Sequence, residues 1–108
     1  MQATATPFRP IWGSTIQLPA TTTSARVAIP AIAIPGNSIR IVHTVGTGDI
    51  RLRSGRSTVA AVTLTDPLIR ATTLQPHYMG INAGDTHIAV ITDTGTGTLE
   101  VTFGTGGI

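Results

Sequence analysis

The sequence has no cysteine, which excludes disulfide bridges and thiolate metal sites. It also has no lysine, because all seven basic residues are arginines. Charged residues of both signs make up 11% of the chain, and the net charge is +2. The isoelectric point of about 10.5 reflects this small arginine excess. No basic stripe of the kind that tracks nucleic acid is visible, so no nucleic-acid partner is expected. Aromatic residues are only 4% of the chain: Phe8, Trp12, Tyr78 and Phe103. No apolar run approaches the ~18 residues of a membrane helix, and no membrane partner is expected. The opening Met1–Pro7 has neither a charged nor an apolar leader segment, which points to a product folded in a cytoplasm. No window carries a 3.6-residue apolar period; the nearest, from Arg56 to Thr65, is too β-branched for a good helix.

The residues that are present favour strands. Threonine is the most frequent residue, and with Val and Ile it suits a pleated surface. Twelve glycines and seven prolines punctuate the chain, keeping each run short. Alternation is clean at Ala25–Ile29, where Val27 and Ile29 share a face. It recurs at Ile39–His43, with Arg40 opposite Ile39 and Ile41, and at Asp49–Arg53, with Ile50 and Leu52 opposite Arg51 and Arg53. Thr86–Ile91 is apolar on both faces beyond His87, as an interior strand is, and Leu99–Phe103 alternates again. A further strand is expected near Ser14–Leu18. Gly46-Thr47-Gly48 and Gly95-Thr96-Gly97 read as glycine hairpins, and Ala83-Gly84-Asp85 as a turn.

These features predict an all-β protein: an antiparallel β-sandwich, jelly-roll-like, over residues 14–108, with an extended N-terminal arm over residues 1–13. With so few aromatics, the core must be aliphatic, and Phe103 belongs in it.

The chemistry-bearing residues point away from catalysis. The glycine clusters lack the third glycine of a dinucleotide loop and the Gly-Lys-Ser/Thr of a phosphate loop. His43, His77 and His87 have no ligand spacing. Four of the five acids, Asp49, Asp66, Asp85, Asp93 and Glu100, lie in or beside expected turns, where Asp caps backbone groups. No Gly-x-Ser-x-Gly elbow occurs. The expectation is a protein that is not an enzyme and takes no cofactor or metal. Two groups suggest protein contacts instead. The arm carries Phe8, Arg9 and Trp12, and Arg40, Arg51, Arg53 and Arg56 read as an arginine-rich face. Arginine and aromatic side chains dominate interface energetics.

The stretch Ala83-Gly84-Asp85-Thr86-His87-Ile88-Ala89-Val90-Ile91-Thr92, followed by Gly95-Thr96-Gly97-Thr98-Leu99-Glu100-Val101, resembles short all-β virion proteins of tailed bacteriophages, of the capsid decoration (cement) type. Ile39-Arg40-Ile41-Val42, the arginine-rich segment, Thr58-Val59 and Asp66 fit the same layout, so the likeness spans roughly residues 36–108. Gly104-Thr105-Gly106 stands where the family pattern has Gly-Glu-Gly. The resemblance implies a non-catalytic protein on the capsid exterior, assembled in the host bacterial cytoplasm. Its partners would be the major capsid protein and further copies of itself, with a trimer favoured. A neck or tail adaptor, or a fibre-associated receptor- or carbohydrate-binding module, is the alternative. A sugar site would need exposed rings from Trp12, Tyr78 or Phe8.

Overall fold

The computed structural model describes residues 7–33, 36–61, 66–71 and 75–106. Among the described residues nine strands form: β1 (Arg9–Pro10), β2 (Ile16–Ala20), β3 (Ala25–Ala28), β4 (Ser38–Gly46), β5 (Ile50–Gly55), β6 (Leu68–Ile69), β7 (His77–Gly80), β8 (His87–Thr92) and β9 (Gly97–Thr105). One short 3₁₀ turn occupies Ala31–Ala33. Among the described residues there is no α-helix.

The strands make two antiparallel sheets. In the first, β9 lies between β4 and an edge shared by β1 and β2, and β7 closes the far side of β4. The second runs β3-β8-β5-β6. Period-2 alternation decides which side chains meet between them. The first sheet contributes Leu18, Ile39, Ile41, Leu99, Val101 and Phe103, and the second contributes Ile50, Leu52, Ile69, Ile88 and Val90. All are buried. Each such side chain stabilises the fold by roughly 1.5–3 kcal/mol relative to exposure. Phe103 is wholly buried, and the core is otherwise aliphatic.

The two glycine links are not hairpins. β4 pairs with β7 and β9, while β5 pairs with β6 and β8, so Gly46-Thr47-Gly48 carries the chain from one sheet to the other. Gly95-Thr96-Gly97 does the same between β8 and β9. The two crossings lie side by side, with Gly46 opposite Gly97 and the Gly48 N–H donating to Thr96 O at 3.0 Å. Their glycines serve close backbone approach more than turn formation. Gly46 has φ +90°, and a Cβ there would overlap Thr96 O and sit 2.7 Å from Gly97 Cα. A Cβ on Gly48 would come within 2.8 Å of Thr94 O. Local sequence cannot distinguish a hairpin from a crossing, because both need the same glycines.

β6 and β7 fall outside the expected runs. β6 has two residues and β7 has four, too short for alternation to register. The Ala83–Asp85 turn forms, with the Asp85 N–H donating to Asn82 O at 3.2 Å. Within the expected arm, Arg9 and Pro10 pair with Thr105 and Gly104 of β9; residues 1–6 lie outside the described residues.

Candidate functional site

β1 and β2 are two parts of one edge, both laid on β9 and separated by an outward excursion at Ile11–Thr15. Its apex is a four-residue turn in which the Ser14 N–H donates to Ile11 O at 3.2 Å. Gly13, third in that turn, has φ +83°, the sign a type II turn requires there. Trp12 is the second residue of the turn and is 83% exposed.

Two contacts pin the excursion to the sheet. The Ile11 N–H donates to Phe103 O at 2.8 Å. Ser14, fully buried, inserts its hydroxyl where a neighbouring strand's backbone would otherwise be. It donates to Phe103 O and accepts from Phe103 N–H, both at 3.1 Å. One serine thus fills the gap in the ladder, and the tryptophan is held on a braced base.

The turn overlooks a groove of about 460 Å³ on the outer face of the first sheet. Phe8, Pro10, Ile11 and Trp12 line one side. Arg40, Tyr78, Thr15 and Thr102 complete it, and three of these belong to one cross-strand row, since Arg40 lies opposite both Tyr78 and Thr102. The Phe8 and Tyr78 rings meet with centroids 5.4 Å apart and planes tilted by 57°. Gly104 permits this, because a Cβ there would come within 2.7 Å of the Phe8 ring. The Thr15 and Thr102 hydroxyls are 2.8 Å apart and bond to each other.

Arg40 is half-buried and has no hydrogen-bond or ion-pair partner among the described residues. Arg9, Arg26 and Arg56 also lack a partner there but are exposed, whereas three other arginines are paired. Arg53 donates from Nε and Nη2 to Asp66 Oδ1 at 2.9 and 2.7 Å. Arg51 reaches Asp66 O at 2.9 Å and Asp93 Oδ1 at 3.4 Å, and Arg70 stands 4.0 Å from Asp49.

The four arginines expected to share a face do not. Arg40 projects from the outer side of the first sheet, with Ile39 and Ile41 in the core. Arg51 and Arg53 project from the outer side of the second, with Ile50 and Leu52 in the core. Arg56 is exposed after β5, its guanidinium beside Gly84. The structure groups Arg40 with Phe8 and Trp12, while Arg9 is exposed in β1 and is not part of the groove lining. Tyr78 completes the site, although its short strand gives little sequence signal. Ser14 gives none, since one serine before a strand looks like any other.

Among the described residues, no three His, Asp or Glu side chains gather as metal ligands, and no helix is long and apolar enough to cross a membrane. Comparison of the chain with protein-family models, curated proteins and solved structures finds no match.

Proposed function

We propose that this protein is a non-catalytic binding module, and specifically a tailed-phage capsid decoration protein that docks on the outer surface of the shell and stabilises the head. The observation that carries the binding reading is the braced display of Trp12, 83% exposed on a turn pinned by a buried serine. An exposed tryptophan is a standing gain for any surface that covers it, on the order of 2 kcal/mol or more at an interface centre. Phe8, Tyr78 and Arg40 beside it supply the residue types that anchor protein interfaces. The resemblance of residues 36–108 to decoration proteins directs the reading to the capsid. On this reading residues 1–13 are the docking arm, the major capsid protein is the partner, and the protein acts as a homo-oligomer, a trimer for preference.

The same reading takes the sandwich as a jelly roll. Strand pairs β2·β9, β3·β8, β4·β7 and β5·β6 support it. They form one long ribbon, β2–β5 running against β9–β6, wrapped so that successive pairs fall in opposite sheets.

A second reading, a fibre-associated carbohydrate-binding module, draws on the exposure of both Trp12 and Tyr78, whose rings could stack on sugar faces. The deciding experiment is the copy number of the chain in purified virions by quantitative mass spectrometry. A ratio to the major shell protein near unity or a simple fraction supports decoration. One ring per particle moves the protein to the neck or tail, and absence from virions overturns the assignment. Deletion of residues 1–13 is expected to abolish particle binding and the heat stability it confers.

A further inference from the structure

We propose that the groove between Trp12 and Tyr78 takes an acidic segment of a partner protein, with a carboxylate on the Arg40 guanidinium and an adjacent aliphatic or proline residue against the rings. The inference rests on the reading of this protein as a binding module, and does not require the partner to be a capsid.

Of the arginines with no protein partner among the described residues, Arg9, Arg26 and Arg56 are exposed, and Arg40 alone is half-buried. Arg51, Arg53 and Arg70 each stand within 4.0 Å of a carboxylate of the same chain. Arg40, partly desolvated on the groove floor, has no acceptor among the described residues. A guanidinium presents five N–H donors in a planar fork that fits a carboxylate bidentately. Placed half out of water with none of them met by a described residue, it favours an acceptor from outside.

The groove lining includes polar groups but carries no negative charge among the described residues. Arg40 and the Trp12 indole donate only, and Thr15, Thr102 and Tyr78 contribute hydroxyls. Among the described residues, no carboxylate or side-chain amide lines the groove. Glu100, one pair further along β9 from Thr102, is engaged by Gln17 Nε2 at 3.3 Å. A groove whose one charged group among the described residues is a cation favours an anionic ligand. A neutral sugar would leave the Arg40 charge without a counter-charge.

The display of Trp12 separates a protein from an acidic saccharide. Trp12 is 83% exposed, so most of its side chain stands clear of the protein. A sugar ring stacked in the groove covers one face and leaves the other in water. A protein surface encloses both, and Trp, Tyr and Arg together form the composition of interface hot spots.

The test starts from a yeast-displayed random dodecapeptide library, selected on the full-length protein and counter-selected on Arg40→Met. Enriched peptides are expected to carry Asp or Glu beside an aliphatic or proline residue. Titrated into ¹⁵N-labelled protein, they should move the Trp12 indole N–H resonance. Their affinity should fall about 30-fold or more in Trp12→Ala and Arg40→Met, and fall less in Arg40→Lys, which keeps the charge and loses the fork. Both sites are on the surface, and unchanged thermal midpoints will confirm that the variants fold. Enriched peptides without acids, or binding unchanged in Arg40→Met, would overturn the proposal. Tri-galacturonate displacing every selected peptide from the same resonances would also overturn it, and would reassign the groove to acidic sugars. Co-sedimentation with phage heads separates the two readings. Peptide binding without head binding removes the capsid and keeps the groove; head binding unchanged in Arg40→Met, with no acidic peptide selected, removes the groove and keeps the capsid.

Discussion

Gly46 and Gly13 both hold positive φ, at +90° and +83°, yet they answer to different constraints. A Cβ on Gly13 meets nothing within 4 Å, whereas one on Gly46 strikes the neighbouring crossing. Gly13→Ala is therefore expected to cost about 1–2 kcal/mol, the backbone term alone. Gly46→Ala should cost about 3 kcal/mol or more, since steric overlap adds to it. Urea denaturation of the two variants checks this, and equal losses would contradict it. Ser14→Ala strips the acceptor from Phe103 N–H in a buried setting, at about 1–3 kcal/mol. It also loosens the turn beneath Trp12, so tryptophan fluorescence anisotropy should fall at temperatures where the fold persists. A mutant with unchanged anisotropy would mean that Ile11 alone braces the turn.

At the scale of elements, the interrupted edge strand and the arginine strand β5 show what alternation fixes. β5 turns Ile50 and Leu52 inward and Arg51 and Arg53 outward, so its arginines lie beside Asp66 and Asp93 and away from the groove. Asp66 is buried and accepts two bonds from Arg53. Asp93 is 41% exposed at 3.4 Å from Arg51. Asp66→Ala is expected to destabilise by about 1–3 kcal/mol because it removes the two charge-assisted bonds that the buried carboxylate accepts from Arg53. Asp93→Ala should stay within about 1 kcal/mol, as exposed pairs do. Chemical denaturation compares the two directly, and a larger loss at Asp93 would reverse the assignment. The same alternation explains why Arg40 and Arg51, close in sequence, end on opposite outer faces: β4 and β5 belong to different sheets.

At the scale of the molecule, almost every strand pairs with one distant in sequence: Ile16 with Val101, Ala28 with His87, Ile39 with Phe103. Closing such loops costs entropy before contacts repay it. Folding is therefore expected in milliseconds to seconds, typical of high-contact-order β domains. Stopped-flow refolding followed by Trp12 fluorescence would measure it, and sub-millisecond folding would contradict the topology.

The sequence by itself determined strands β2 to β5, β8 and β9, the aliphatic core and the burial of Phe103, because period-2 alternation and composition act locally. It also singled out Phe8, Arg9 and Trp12 as candidate contact residues. Only the tertiary structure decided that the glycine links cross between sheets, that Arg40 joins the aromatic groove while Arg51 and Arg53 pair internally, and that Ser14 braces Trp12. Each of those outcomes depends on which strands become neighbours. That choice is made by packing two apolar faces together across long stretches of chain, and no short window of residues contains it.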